Sequence, residues 1–142
     1  MTDCIFCKII EKEIPSYPVY EDDMVYAFLD ITQTTKGHTL VIPKKHVTDI
    51  FEYDEKLASD VFTRIPKIAR AIEQAFPDMV GLNMVNNNKE AAYQSVFHSH
   101  VHLIPRYGKE DDFSMTFADN GAKYSKEDMV SIAQSINKEI QK

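Results

Sequence analysis

Three of the five histidines in this 142-residue chain, His98, His100 and His102, fall within five consecutive positions. On a helix, residues two apart are rotated by about 200°, which scatters the rings; on a strand the same spacing aims them all to one side. The run Val96-Phe97-His98-Ser99-His100-Val101-His102-Leu103-Ile104 therefore predicts a strand with an imidazole row, and Ser99, Val101 and Leu103 on its other face. An imidazole with a pKa near ~6.5 is largely neutral at pH 7, so its ring nitrogen can attack phosphorus or carbon without a separate base. Once charged, it can hand a proton to a leaving group. A polar face or a metal-binding tract would give the same residue types, but strict alternation of three favours chemistry. A phosphoryl group needs donors, and no glycine-rich lysine loop is present to cradle one. Neutral donors remain: Asn87, within Asn86-Asn87-Asn88, and Ser95, just ahead of the row.

Cys4 and Cys7 have the C-x-x-C spacing of half a tetrahedral metal site. A disulfide across so short a loop would constrain little of the chain. A redox dithiol lacks the usual strand-then-helix context, and two inert thiols are the plain alternative.

The elements that position these groups read as α+β. A short helical turn starts at Cys4 and ends by Pro15; Pro18 to Tyr20 and Met24 to Leu29 are β-prone runs around the acidic turn Glu21-Asp22-Asp23. Residues 37–43 form another strand, and 81–85 a further one. From Asp54 to Phe76, Leu57, Val61, Ile65, Ile68, Ile72 and Phe76 keep the spacing of one helix face, with Pro66 expected to kink that long helix. Ser125 and Asp128 resemble a capping box for a C-terminal helix whose Met129, Ile132, Ile136 and Ile140 form a stripe expected to be buried. The sum is an antiparallel sheet with one long helix and a C-terminal helix.

The charge of -6 gives no general attraction for a polyanion, so nucleic acid is not an expected partner. Apolar stretches fall far short of the roughly 20 residues that cross a bilayer, and the chain opens without a basic-then-apolar leader, so the expectation is a cytoplasmic protein with no membrane partner.

The alternating histidines, with Leu103-Ile104 after them, resemble the signature of the histidine triad (HIT) family. Cys4-Ile5-Phe6-Cys7-Lys8-Ile9-Ile10, Phe28-Leu29-Asp30-Ile31, the run from Gly37 to His46, and Gln94-Ser95-Val96-Phe97-His98 look like the blocks of its bacterial Hint-like branch, in the same order. The resemblance implies a HIT-like fold over residues 1–107, with 108–142 as an extension packed on the same domain. It implies that His100 is the nucleophile toward an α-phosphate, and that His102 and His38 flank the phosphate and leaving group. By the same token Asp30 would bind the ribose hydroxyls, and Phe6, Ile14, Phe28 and Ile31 would wall the base. Asn86 is a one-residue alternative to Asn87. Lys89 and Tyr93 stand where relatives commonly have glycine. The resemblance also implies His46 and His98 as the remaining ligands of a structural zinc, a homodimer, and hydrolysis of purine nucleoside phosphoramidates. Dinucleoside polyphosphate hydrolysis, a zinc-stapled nucleotide-binding module without turnover, and a catalytic zinc hydrolase using the histidine row are the competing readings.

Overall fold

The runs Val25–Leu29 and Thr39–Pro43 are apolar at nearly every position, which suits strands covered on both faces. In the computed structural model, which describes residues 3–140, they are the second and third strands of a five-stranded antiparallel sheet. The elements in chain order are α1 (Ile5–Ile10), β1 (Pro18–Glu21), β2 (Val25–Leu29), β3 (Thr39–Pro43), α2 (Glu55–Phe62), α3 (Ile65–Ala75), β4 (Gly81–Val85), β5 (Val101–Arg106) and α4 (Lys126–Ile140). The sheet order is β1-β2-β3-β5-β4, so β1 and β4 are its open edges.

Alternation along the strands sorts side chains between two cores. Val25, Ala27, Val41, Val101 and Leu103 pack against Leu57, Val61, Ile65, Ile68 and Ile72 of α2 and α3. On the opposite face Tyr26, Phe28, Leu40 and Ile42 meet Phe6 and Ile9 of α1. The histidines belong to this second face, so α2 and α3 brace the sheet from behind and α1 borders the candidate site.

The helix expected from Asp54 to Phe76 is two helices on one amphipathic register. Asp54 caps α2 through a bond from the Leu57 N–H (2.8 Å), α2 stops at Phe62, and Pro66 lies in the first turn of α3. A first-turn N–H has no intrahelical acceptor, so proline costs little there and starts a helix instead of kinking one. Arg64, at the junction, reaches the Asp22 carboxylate (2.6 Å), which also accepts the Met24 and Val25 N–H groups and the Tyr20 hydroxyl. Burial works against ionisation of Asp22, but the Arg64 and Tyr20 bonds outweigh it and hold the carboxyl well below its usual range. The acidic turn between β1 and β2 is thereby tied to the helical layer.

Gly37, at φ +94°, turns the chain into β3; an added Cβ there would sit 3.0 Å from the Phe76 ring. Among the described residues no helix is long and apolar enough to cross a membrane.

The C-terminal extension departs from its expected packing. The Ser125–Asp128 capping box forms as read, with reciprocal bonds of 2.9 and 3.0 Å. Its stripe is not buried: Met129, Ile132, Ile136 and Ile140 are 43–76% exposed, and α4 has no buried residue. The extension thus does not pack on its own domain.

Candidate active site and metal centre

The strand carrying the histidine row begins later than its alternation suggested. The β5 ladder starts at Val101, because residues just before it bond elsewhere: the Ser99 N–H donates to the Val47 carbonyl (2.8 Å) and the Ser99 hydroxyl meets the Tyr53 hydroxyl (3.0 Å). The backbone is nevertheless extended enough to alternate. Val101 and Leu103 enter the helix-side core, while His100 and His102 lie together on the other face with ring centroids 5.1 Å apart. His98 leaves the row and joins the cysteines; its place is taken by His38, from the loop before β3.

Hydrogen-bond partners assign the ring protons. The His100 Nδ1–H donates to the His98 carbonyl (2.8 Å), which can only accept, so the lone pair of the neutral ring is on Nε2. The Thr34 N–H donates to His38 Nδ1 (3.2 Å), so the His38 proton is on Nε2, from which it is donated to His102 Nδ1 (2.9 Å). That leaves His102 with its proton on Nε2. Burial pushes all three imidazoles below their ordinary value, and neighbouring His100 and His38 assist in taking His102 to about 4. A neutral lone-pair nitrogen and an N–H donor therefore stand side by side.

The surroundings support that pair. Phe6 meets the His100 ring edge to face at 5.1 Å and Phe28 at 5.5 Å, forming an apolar wall on which Ile14 packs half-buried. Ile31, expected in the wall, is 83% exposed and forms at most its rim. Asp30 is half-buried, with Oδ2 3.7 Å from His38 Nε2. Burial raises its pKa, but bonds from the Thr32 hydroxyl and N–H (2.5 and 2.8 Å) prevail and lower it, keeping a carboxylate that can accept hydroxyl groups.

Among the donors, Asn86 is committed: its amide donates to the His100 carbonyl (2.9 Å) and its side-chain oxygen accepts from Asn88 (2.7 Å). Asn87 has no hydrogen-bond partner for its side chain among the described residues, and neither has exposed Ser95, so both remain available to a ligand. Two residues that the sequence reading left without a role shape this loop. Asn86 clamps the backbone of the candidate nucleophile, and buried Gln94 accepts from the Lys89 N–H (2.7 Å) while donating to the Thr48 and Val96 carbonyls (2.6 and 3.1 Å). A buried amide among surface-prone neighbours leaves no sequence signal beyond its place in the Gln94–His98 block. Lys89 and Tyr93 adopt φ of 75° and 71°, the left-handed backbone that glycine accepts most cheaply.

Cys4, Cys7, His46 and His98 form a second centre, with ligand atoms all within 4.8 Å of one another. Zinc–sulfur and zinc–nitrogen bonds of ~2.3 and ~2.0–2.1 Å set tetrahedral edges near ~3.6 Å for S···N and ~3.3 Å for N···N. The corresponding separations are 3.4 Å (Cys4 Sγ to His98 Nδ1), 3.4 Å (Cys7 Sγ to His46 Nδ1), 3.6 Å (Cys7 Sγ to His98 Nδ1) and 3.2 Å (His46 Nδ1 to His98 Nδ1). The His98 Nε2–H donates to the Pro43 carbonyl (2.8 Å), turning the Nδ1 lone pair toward the cluster. Burial and the neighbouring Cys4 sulfur push the Cys7 thiol up to about 11, so a bound cation is what would make it a thiolate near neutrality. The residues fit a closed Cys2His2 ion. A cavity of about 540 Å³ lies beside this cluster, lined by Cys4, Ile5, His46, Thr48, Ser95 and Val96 among others; it touches the donor loop at Ser95 but does not contain His100.

The HIT domain family matches residues 11–109. Protein hit of Bacillus subtilis is 54% identical over 97% of this chain and 94% of its own. The adenosine 5'-monophosphoramidase hnt1 of Schizosaccharomyces pombe is 39% identical over 75% and 77%. A crystal structure of a HIT family member from B. subtilis superposes with TM-score 0.92 at 54% identity, covering 96% of both chains. A protein of Leishmania major does so with 0.87 at 32% identity, covering 99% of this chain and 97% of that one. A zinc-bound histidine triad protein of Mycobacterium smegmatis gives 0.74 at 33%, covering 85% and 87%. With the alternating histidines on one sheet face and this sheet order, these matches establish that the chain belongs to the HIT family.

Proposed function

We propose that the chain hydrolyses purine nucleoside phosphoramidates by attack at the α-phosphorus through a nucleotidyl-histidine intermediate. The observation that carries this reading is the pair of assigned protons: a lone pair on His100 Nε2 beside an N–H on His102 Nε2. Phosphate charge bound beside His102 favours protonation of that ring, against the effect of burial. His100 Nε2 then bonds to phosphorus as the P–N bond breaks, and the departing nitrogen keeps the bonding pair and takes the His102 proton. In the second half, water gives its hydroxyl to phosphorus and a proton to His102, and His100 leaves with its lone pair. Amine and nucleoside monophosphate are the products, and both rings return to their starting states. Asn87 and Ser95 supply neutral donors where charge develops on the phosphoryl oxygens. Asp30 accepts from the ribose hydroxyls, and Phe6, Phe28 and Ile14 hold the base.

The name of the S. pombe relative supports the substrate class. Zinc held by Cys4, Cys7, His46 and His98 is structural: four protein ligands close the coordination, and the ion ties α1 to the segments before η-turn residues 50–52 and before β5. The chain acts as a homodimer joined along β4, an open edge with Val80 and Met84 74% and 51% exposed. A dinucleoside polyphosphate is the second reading, favoured by the room for a bulky leaving group in the cavity beside Ser95.

The test is mass spectrometry of protein quenched during turnover of an adenosine or guanosine phosphoramidate. A nucleotidyl adduct on His100 is expected, and turnover without any such adduct, or undiminished in His100→Ala, rejects the mechanism. Ratios of kcat/KM for phosphoramidates and dinucleotides decide between the two substrate readings.

A further inference from the structure

The extension after β5 leaves the body of its own chain. Its last ties are Asp111, which accepts from Arg106 Nε (2.9 Å) and from the Tyr107 N–H (2.8 Å), and Phe113, whose ring lies 5.3 Å from the Arg106 guanidinium. From Ser114 to Ile140 every residue is exposed. Phe117 and Tyr124 are 84% and 50% exposed, and the Met129, Ile132, Ile136, Ile140 stripe follows on one side of α4. Exposed apolar area of this kind, several hundred Å² per chain, marks an interaction surface on soluble proteins. The helix also needs a partner for its own sake, since isolated helices of about 15 residues are marginal in water.

Two facts identify the partner. The superpositions on the B. subtilis and L. major proteins cover 96–99% of this chain and so include most of the fifteen-residue α4. A TM-score of 0.92 is out of reach for chains whose last fifth diverges, so the detached extension takes the same direction there as here. Secondly, those are different proteins, only 54% and 32% identical to this one, and lattice packing would not place a free helix alike in each. What solved structures of single proteins share is further copies of their own chain. We infer that a second copy of this chain covers the α4 stripe, and that residues 114–140 are a clasp laid across it. By symmetry each copy gives one clasp and receives one. The contact is separate from the β4 edge and from the catalytic reading.

Two measurements on the full chain test it. Sedimentation velocity across micromolar concentrations should show a dimer for the parent chain and, for Ile132→Asp combined with Ile136→Asp, a dissociation constant raised by roughly 100-fold, the scale of losing buried anchors. Because α4 touches nothing in its own body, thermal unfolding of that body should be unchanged. A photo-crosslinking benzoylphenylalanine at position 136 should give an adduct of twice the chain mass, mapping α4 onto a peptide of the other copy. Undiminished dimerisation of the double variant, or adducts confined to one chain, overturns the clasp while leaving the β4-edge dimer standing. A parent chain that sediments as a monomer overturns both.

Discussion

Removing the His100 ring takes away the lone-pair nitrogen but leaves Phe6, Phe28 and Asp30 in place, so binding and chemistry should separate. His100→Ala is expected to lose at least about 1,000-fold in kcat while keeping nucleotide affinity within about threefold, read by turnover and calorimetry. A second expectation concerns acid stability. The folded His102 value of about 4 lies below an unfolded one near ~6.5, so the unfolded chain binds the extra proton first. Stability from this group is complete above about pH 6.5 and falls as pH drops toward 4; His102→Asn should flatten denaturant-midpoint curves in that window. The alternation of His98, His100 and His102 was enough to read a shared face, since period two admits no helix. It could not tell that His98 would leave the row, because a ring's partner is set by long-range contact with Cys4 and Cys7. Nor did the triple asparagine say which amide is free: only the bond from Asn86 to the His100 carbonyl leaves Asn87 as the unengaged one. The left-handed backbone at Tyr93, with its 87% exposed ring, gives a third expectation. Tyr93→Gly should raise stability by about 1 kcal/mol, measured by thermal unfolding.

At the scale of elements, periodicity located nearly every strand but placed several ends wrongly. The amphipathic register from Leu57 to Ile72 is continuous, and nothing in that spacing reveals the break at Thr63 and Arg64, where the chain turns to let Arg64 hold Asp22. Pro66 therefore sits in a first turn, and Pro66→Ala should change stability by less than about 1 kcal/mol, against about 3 for a proline within a helix; chemical denaturation distinguishes the two. The start of β5 was misplaced for a related reason: 96–100 alternate like a strand, yet the Ser99 N–H bonds to Val47 instead of a ladder partner. The metal-binding element makes a separate expectation. Cys4→Ala removes one of four ligands, and both metal content and thermal stability should fall, the latter because the ion joins α1 to two distant segments. Full occupancy in that variant would remove Cys4 from the ligand set.

For the whole molecule, the amphipathic pattern of α4 correctly gave a helix and its cap but not the body against which its stripe lies. Periodicity reports that a face must be covered and is silent about whose atoms cover it. The β4 edge poses the same question with a different answer, main-chain pairing of strands. Met84→Lys, a charge placed on that edge, should weaken self-association by about tenfold in sedimentation experiments.

One residue links the two centres by different parts of itself. The imidazole of His98 faces the cysteines, while its carbonyl receives the Nδ1 proton of His100. Side-chain replacement removes the first function and leaves the second in the peptide unit, which no coding change at that position can delete. Metal retention and nucleophile tautomer are therefore genetically separable at a single codon: His98→Ala should empty the cluster, yet its nitrogen spectrum should still show His100 protonated on Nδ1.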